Sequence, residues 1–212
     1  MIRTPRLVYV IDDDLSMRKA VGRLLESEDY SVEIFTGARE FLARVPYAGA
    51  ACVIVDLNMP ELNGLELQDA LAKMGRAEQL IFITGGASVP TCVQAMKAGA
   101  VDYLQKPFRD EDLLGCVERA LKRSSEQWLR RLQRKEVRDR LATLTPREFD
   151  VLKGVVAGML NKQIAAQFGT TEGTIKVHRG RVMEKMGATS VAELVILAQR
   201  GGISPNPDES SE

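Results

Sequence analysis

Short apolar runs alternate with helical patterns through the first half of the chain. The runs lie at 7–11, 32–35, 52–55, 80–83 and, more weakly, 101–104. Continuous apolar stretches of this length predict strands that are buried on both faces, as in parallel sheets. Between them, apolar residues recur at helical spacing, as at Met17, Val21 and Leu24. Five alternations of strand and helix predict a doubly wound α/β domain over residues 1–121.

Helical spacing continues beyond that domain. No proline lies between residues 110 and 141, and apolar residues recur at Leu114, Val117, Leu121, Trp128 and Leu132. A helix over 110–140 would be about 45 Å long at the usual rise per residue. We therefore expect residues 122–141 to form a helical linker. A frayed connector is the alternative beyond Trp128, because this stretch is rich in basic residues.

A second group of helices follows the linker and predicts an all-α domain over residues 142–203. Thr145, Pro146 and Glu148 match a capping box, in which threonine caps the helix, proline takes its first position and glutamate reaches back to the cap. The first helix is predicted to end near Gly158. Asn161 is predicted to cap the next helix, which ends at Gly169, and Thr171 to cap the one after it, which runs to Gly187. The tail 204–212 is rich in proline, serine and acidic residues, which predicts disorder.

Composition agrees with two domains, and the distribution of charge indicates that the two domains bind different partners. The 212 residues suffice for two domains, and 45% apolar and 27% charged residues are typical of soluble globular proteins. The net charge is zero, but 13 basic and 18 acidic residues precede residue 121, against 16 and 11 from there onward. The second half is therefore the one expected to meet a polyanion such as DNA.

Cysteine usage and hydropathy argue against other classes. Cys52, Cys92 and Cys116 are odd in number and widely spaced, which disfavours a disulfide framework or a zinc site and favours buried free thiols. No stretch approaches the length of a membrane span, and no signal-peptide pattern precedes the first strand. We expect a cytoplasmic protein that does not engage a membrane.

Polar residues follow four of the five predicted strands. Asp12 and Asp13 follow the first, Asp56 the third, Thr84 the fourth and Lys106 the fifth. The carboxyl ends of strands line the ligand crevice of an open α/β sheet, between strands 1 and 3 in the flavodoxin-like order 2-1-3-4-5. Three nearby carboxylates repel each other unless a cation joins them, and oxygen ligands suit Mg²⁺. One carboxylate could then attack a phosphoryl group whose oxygens Lys106 neutralises.

These residues belong to a recognisable set. Together with Asn58-Met59-Pro60, Asn63-Gly64 and Tyr103 ahead of Lys106-Pro107-Phe108, they resemble the receiver domains of two-component response regulators over residues 6–121. The resemblance implies that Asp56 accepts the phosphoryl group and that Mg²⁺ is held by Asp12, Asp13, Asp56 and the backbone carbonyl of Asn58. It also implies that Lys106 pairs with the phosphoryl group, that Thr84 and Tyr103 form a switch pair, and that the peptide before Pro107 is cis.

Two positions depart from the receiver pattern. Asp14 falls one place beyond the acidic pair, and we expect it to cap the first helix. The loop over residues 85–90 lacks the His-Gly-Asp of many receivers, and its Gly86 offers no side chain beside the phosphate.

The C-terminal segment resembles the LuxR-type helix-turn-helix over residues 144–203. The resemblance is carried by Leu144-Thr145-Pro146-Arg147-Glu148, Asn161-Lys162 and Thr174-Ile175-Lys176-Val177-His178-Arg179. A receiver followed by this domain is typical of the FixJ/NarL class of regulators. The pairing of the two resemblances is more specific than either one.

Helical geometry selects the expected DNA contacts. With Ile175, Val182 and Met186 toward the core, Val177 and Gly180 lie on the opposite face, flanked by Lys176 and Arg181, and this face would enter the major groove. Lys176 is expected at a guanine and Val177 at a thymine methyl. Phosphate contacts are expected from Lys162, Thr174 and Lys185, and DNA binding also from Thr171 and Arg181. Arg179 is expected to hold either a phosphate at the groove edge or an internal acid.

The two resemblances together imply a bacterial transcriptional regulator. A sensor histidine kinase would phosphorylate Asp56, the protein would dimerise, and the dimer would bind double-stranded promoter DNA and act on RNA polymerase, as an activator. Val89, Pro90, Val93 and Met96 would supply the dimer face, although core packing is the default for at least half of them; Val191, Leu194 and Val195 would supply a second contact.

Two other functions remain as alternatives. An aspartyl-phosphate hydrolase would use Asp12 as nucleophile and Asp14 as acid/base, but it leaves Asp56 and the helix-turn-helix unexplained. A constitutive DNA binder with an inert receiver is the other. In the preferred interpretation the chain is no general enzyme and catalyses only its own phosphoryl transfer and dephosphorylation.

Overall fold

The computed structural model describes residues 6–76, 78–86 and 89–204. The chain divides into two compact units, Met1–Leu129 and Arg130–Glu212. Of the tail 204–212, for which the sequence predicts disorder, all but Ser204 lies outside the described residues.

The first unit is built on a five-stranded parallel sheet of order β2-β1-β3-β4-β5. The strands are β1 (Leu7–Ile11), β2 (Ser31–Phe35), β3 (Ala51–Asp56), β4 (Gln79–Thr84) and β5 (Asp102–Gln105). Every residue of β1, β3 and β4 is buried, which explains the continuous apolar run that makes up most of each strand. The doubly wound fold and its strand order are as the sequence predicts.

Helices cover both faces of this sheet. They are α1 (Leu15–Ser27), α2 (Ala38–Ala43), α3 (Gly64–Lys73), α4 (Val89–Lys97) and α5 (Asp110–Ala142). Side chains alternate between two cores, with Tyr9 and Phe82 on one face of the sheet and Val10 and Ile81 on the other. Asp14 caps α1 by accepting a hydrogen bond from the Ser16 N–H, as expected.

The strand register brings the polar strand ends to one edge of the sheet. Ile11 pairs with Val55, so Asp12 and Asp56 both follow at the carboxyl edge. Asp56 in turn pairs with Ile83, and Thr84 pairs with Gln105, the residue before Lys106. This register is the structural basis of the acidic pocket described below.

Helix α5 is 33 residues long and includes the predicted linker 122–141. Its length exceeds that of a membrane span, but it carries many charged residues. Within the described ranges, no helix is both long and apolar enough to cross a membrane.

The second unit contains α6 (Pro146–Val156), α7 (Asn161–Gln167), α8 (Glu172–Met186) and α9 (Val191–Arg200). The capping box at Thr145 and Glu148 is present, with both reciprocal hydrogen bonds. The expectation that Asn161 caps α7 is wrong, because the cap residue is Leu160, whose N–H donates to the Gln163 side chain. Gly158, Gly169 and Gly187 all have positive φ angles after the helices they follow.

Candidate functional site

An acidic pocket lies at the carboxyl edge of the sheet and is held together by one lysine. Lys106 Nζ donates to Asp56 Oδ2 at 2.6 Å and to Asp12 Oδ2 at 2.8 Å. Both carboxylates are largely buried, with residue exposures of 8% for Asp56 and 2% for Asp12. The backbone supports this arrangement, since the Lys106 N–H donates to the Thr84 carbonyl at 2.7 Å. The Lys106–Pro107 peptide is cis, as the resemblance implies.

Three carboxylates in this pocket converge closely enough to share a cation. Oxygens of Asp12, Asp13 and Asp56 lie within 4.8 Å of one another, and Asp13 is exposed while the other two are buried. An all-oxygen set with one side open to water fits Mg²⁺, which keeps several water ligands. Asn58 lies two residues beyond Asp56, and its N–H donates to Asp56 Oδ1 at 2.9 Å. The structure therefore brings all four expected metal residues to one place.

Burial and pairing shift the ionisation of this pocket in opposite directions. Burial raises the pKa of Asp12, although the hydrogen bond from Lys106 opposes the rise. Burial also acts to lower the pKa of Lys106, but the hydrogen bonds to Asp12 and Asp56 outweigh it and the pKa rises. The ammonium form of Lys106 is thus strongly favoured, which suits a group that must neutralise phosphoryl oxygens.

Two further residues of the pocket bear on its chemistry. Arg18, which sequence reasoning missed, is buried on α1 and donates to the Asp12 carbonyl oxygen, so it fixes the backbone between two acidic residues. No sequence pattern marks this contact, because it joins residues of different elements. Asp14 is engaged as the cap of α1, which disfavours the acid/base role that the hydrolase alternative requires.

The expected switch pair lies beside the acidic pocket. Thr84 is fully buried, and Tyr103, half-buried on the neighbouring strand, places its hydroxyl beside Thr84 and the Cys92 thiol. Burial raises the pKa of Tyr103 to about 12; the hydrogen bond with Cys92 adds to the rise, and that with Thr84 opposes it. The structure thus joins the strand that carries Tyr103 to helix α4 through a polar contact.

The loop after β4 is held to Asn58. Asn58 Nδ2 donates to Thr84 Oγ1 and to the Gly86 carbonyl, each at 3.3 Å. Thr84 Oγ1 donates to the same carbonyl at 3.2 Å and accepts from the Gly86 N–H at 3.3 Å. Ala87 and Ser88 of this loop lie outside the described residues.

Helix α4 presents an apolar face to solvent. Val89 is 76% exposed, and Val93 and Met96 are each 44% exposed. Core packing is the default expectation for at least half of Val89, Pro90, Val93 and Met96, and it is wrong, because all four are exposed. The core is instead filled from this helix by Ala95. Exposed apolar side chains at helical spacing on one face are typical of an interaction surface.

The second unit presents a helix with one buried and one solvent face. Ile175, Val182 and Met186 of α8 are fully buried, whereas Val177 is 55% exposed. Lys176, Gly180 and Arg181 are also exposed, so the face predicted from helical geometry is the one presented to solvent. The only histidine, His178, lies between the two faces, and its Nδ1 is buried without a hydrogen-bond partner.

Polar residues at the start of α8 are also accessible. Thr171 caps the helix by accepting from the Thr174 N–H at 3.2 Å, and the two threonine hydroxyls lie 3.0 Å apart. Lys162, near the start of α7, is exposed. Lys162 and Thr174 are accessible for the phosphate contacts predicted for them, and Thr171 for its predicted contact with DNA.

Two of the expected DNA-binding residues have internal partners. Arg179 Nη1 donates to Asn161 Oδ1 at 3.0 Å, so its partner is an amide and not the internal acid considered from the sequence. Lys185 Nζ donates to Glu148 Oε2 at 2.6 Å and to the Thr143 carbonyl at 3.0 Å. The interaction predicted for Lys185 was with a phosphate, whereas the structure gives this lysine an internal acid.

The last helix differs from its expected role. Leu194, predicted to face a symmetric partner, is fully buried in the core of the second unit. Val195 packs against that core, and Val191 is 39% exposed. Leu194 is therefore excluded from any intermolecular contact of the folded unit, because the helix turns this side chain inward.

Family models match both units. Residues 8–118 match the model described as "Response regulator receiver domain", and residues 142–198 match "Bacterial regulatory proteins, luxR family". The two matches cover the acidic pocket and the α8 face respectively.

Several regulatory proteins are similar to the chain over most of its length. The chain is 41% identical to Nodulation protein W of Bradyrhizobium diazoefficiens over 99% of its length and 92% of that protein. It is 42% identical to Transcriptional regulatory protein FixJ of Azorhizobium caulinodans, over 95% of each chain. Among solved structures, response regulator StyR superposes with a TM-score of 0.82 at 38% identity, covering 92% of this chain and 98% of that one.

Proposed function

Because this chain belongs to the response regulators that join a receiver domain to a LuxR-type DNA-binding domain, we propose that phosphorylation of Asp56 controls its binding to promoter DNA. The membership makes it a two-component transcriptional regulator. The proposal adds the phosphoacceptor, the route from phosphate to dimer, and the residues that meet DNA.

The observation that carries the proposal is Lys106 held between Asp12 and Asp56. In the proposed reaction, Asp56 Oδ attacks the phosphorus of a phosphohistidine on the sensor kinase. The P–O bond of an acyl phosphate forms and the P–N bond breaks. The departing imidazole takes up a proton from water and leaves as the neutral ring. Lys106 is placed to transfer its hydrogen bond from the Asp56 carboxylate to an oxygen of the phosphoryl group. Its positive charge then stabilises the group being transferred.

Asp12, Asp13, Asp56 and the Asn58 carbonyl would hold Mg²⁺, which would supply positive charge to the phosphoryl oxygens. Hydrolysis of the acyl phosphate would return the pocket to its starting state. Water can reach the group, because Asp13 and the loop residue Gly86 are both exposed.

The route from phosphate to dimer runs through Thr84 and Tyr103. A phosphoryl group on Asp56 would draw the Thr84 hydroxyl toward it, and the Tyr103 ring beside that hydroxyl would follow. Tyr103 also contacts Cys92 of α4, the helix that exposes Val89, Val93 and Met96. We infer that this exposed face forms a symmetric contact with a second phosphorylated copy.

Dimerisation would present two α8 helices to two half-sites of promoter DNA. Lys176, Val177 and Arg181 would enter the major groove, and Lys162, Thr171 and Thr174 would meet phosphates. The protein would act in the cytoplasm, and its bound form would activate transcription by RNA polymerase.

The proposal is tested by footprinting a promoter fragment with the full chain, with and without a small-molecule phosphodonor and Mg²⁺. Wild type should protect the fragment at a lower concentration when the donor is present, and Asp56→Asn should not respond. Asp69→Asn is the matched control, because Asp69 is an exposed aspartate outside the pocket. Its response should equal that of wild type.

Equal protection by wild type and Asp56→Asn under all conditions would reject the proposal. The chain would then be a constitutive DNA binder with an inert receiver. Sedimentation of the phosphorylated form as a monomer at micromolar concentration, free and on DNA, would reject the dimer step alone.

A further inference from the structure

Hydrogen-bonding partners surround the buried hydroxyl of Thr84. A threonine hydroxyl offers one donor and two acceptor lone pairs. The Gly86 carbonyl and the Tyr103 hydroxyl lie within reach of its donor, and its oxygen accepts from the Gly86 N–H and from Asn58 Nδ2. Because Thr84 is fully buried, water cannot replace any of these partners. Moving the hydroxyl therefore requires breaking named contacts.

The side chain of Asn58 contacts both Thr84 and Gly86. Its two amide hydrogens serve Thr84 Oγ1 and the Gly86 carbonyl, each at 3.3 Å. Its own N–H is tied to Asp56 Oδ1 at 2.9 Å, so the residue is anchored at the phosphoacceptor. Gly86 carries no side chain that could replace the amide, and it is exposed, so water can solvate its carbonyl.

A phosphoryl group has acceptor oxygens only. Thr84 can approach it only by redirecting its O–H away from the Gly86 carbonyl and the Tyr103 hydroxyl, and its oxygen then leaves the Asn58 amide as well. The Asn58 contact is thus present before the switch and absent after it. An interaction made in one state only shifts the equilibrium between the two states.

We propose that Asn58 is a positioning residue: its side-chain amide holds the Thr84 hydroxyl in the position of the unphosphorylated state and so restrains the switch. This role concerns the side chain and is separate from the metal contact proposed for the Asn58 carbonyl. It rests on the proposed function for its biological meaning, but the latch formed by Asn58, Thr84 and Gly86 can be measured without phosphate or DNA.

The test is the hydrogen-exchange rate of the Gly86 amide, measured by NMR on the full unphosphorylated chain and corrected for the intrinsic rate of each sequence. The Gly86 N–H is protected by Thr84 Oγ1, so opening of the latch exposes it. Asn58→Ala removes the holding amide, and protection should fall roughly twofold to tenfold, the value of one neutral hydrogen bond.

Asn58→Asp should strengthen the restraint on the Thr84 side chain, whereas Asn58→Ala should weaken it. The carboxylate has the same shape, cannot donate to the Gly86 carbonyl, and accepts from the Thr84 O–H in a stronger, charge-assisted bond. Thr84 is then held more firmly, and the three-bond couplings of its side chain should report a single rotamer. Asn63→Ala is the matched control, because it removes another asparagine of the same loop, one that caps α3. Gly86 protection should be unchanged in it.

Equal Gly86 protection in wild type and Asn58→Ala would overturn the latch. So would weaker Thr84 restraint in both Asn58 variants, since loss of local structure would move both the same way. If the exchange results hold while footprinting gives no response to phosphodonor, the proposed function fails and the latch stands.

Discussion

Lys106 Nζ lies 2.6 Å from Asp56 Oδ2, so the proposed phosphoacceptor is charge-paired before any phosphoryl group arrives. The same nitrogen also pairs with Asp12. One ammonium group therefore offsets two largely buried carboxylates that would otherwise repel each other.

Replacing Lys106 by methionine should destabilise the receiver most when metal is absent. We expect the free energy of unfolding at pH 7 to fall by about 2 kcal/mol in a chelating buffer, since removing one partner leaves buried charges unpaired. Mg²⁺ should restore part of the loss. Urea unfolding with and without Mg²⁺ measures both effects.

Lys97→Met is the control for that experiment, because Lys97 is exposed on α4. Its unfolding free energy should stay within about 0.5 kcal/mol of wild type. Equal losses in the two variants would mean that the Lys106 pairing contributes nothing specific.

The ion pair of Glu148 and Lys185 should make the DNA-binding unit sensitive to acid. The hydrogen bond from Lys185 and that from the Thr145 N–H lower the pKa of Glu148 to about 2. A lowered pKa stabilises the fold fully above the ordinary glutamate value and loses that effect as pH falls through the folded value. Stability should therefore drop between about pH 4.5 and pH 2.

Glu148→Gln should remove most of this dependence and cost about 2 kcal/mol of unfolding free energy at neutral pH. Thermal unfolding followed by circular dichroism over that pH range measures it. Glu184→Gln, at an exposed position of α8, should keep the wild-type profile. A Glu148→Gln profile as steep as wild type would show that another group titrates.

Alanine substitutions at Arg179 and Arg181 should differ in their effects on the stability of the DNA-binding unit and on its affinity for DNA. Arg181 is exposed, so Arg181→Ala should weaken DNA binding by removing a major-groove contact, with little change in stability. Arg179 donates to Asn161, so Arg179→Ala should also lower the melting temperature. Fluorescence anisotropy over a salt series, paired with melting curves, tests this. Equal melting temperatures would contradict the structural role of Arg179.

Two glycines should respond to alanine in opposite ways. A Cβ at Gly64 would lie 2.8 Å from a Phe82 ring carbon and 3.0 Å from the Asp56 carbonyl, so Gly64→Ala should destabilise the receiver by about 2 kcal/mol. A Cβ at Gly180 would meet nothing within 4 Å. Gly180→Ala should therefore stabilise α8 by up to about 1 kcal/mol.

DNA binding by Gly180→Ala then decides why the glycine is there. A lower affinity despite higher stability would indicate that the bases approach the α8 backbone at this position. Unchanged affinity would mean that close approach does not occur. Anisotropy titrations with the same DNA fragment distinguish the two outcomes.

The sequence predicted features that depend on local pattern. The apolar run at 7–11 is β1 residue for residue, and the Thr145 capping box is present because its atoms lie within one helical turn. The polar strand ends meet because parallel strands in this order share one carboxyl edge. The expectations for Asp12, Asp56 and Lys106 needed only these regularities.

Contacts between side chains of distant elements could not be predicted in that way. The Asn58 amide donates to the Gly86 carbonyl in a separate loop. Arg179 donates to Asn161, and Lys185 donates to Glu148, in each case from one helix to another. The second dimer contact expected to include Leu194 is not available to that residue, because the packing of α9 on its neighbours turns its side chain inward. Such outcomes depend on tertiary packing, which periodicity does not encode.

The three cysteines differ in accessibility. Cys52 and Cys116 are buried, and burial raises the pKa of both thiols, that of Cys116 to about 11. Cys92 is only partly buried and lies beside the Tyr103 hydroxyl. Since thiolates are the reactive form, a maleimide dye added to the native chain should attach at Cys92. The natural sequence thus carries its own attachment point for a fluorescent reporter of the switch, with no engineered cysteine required.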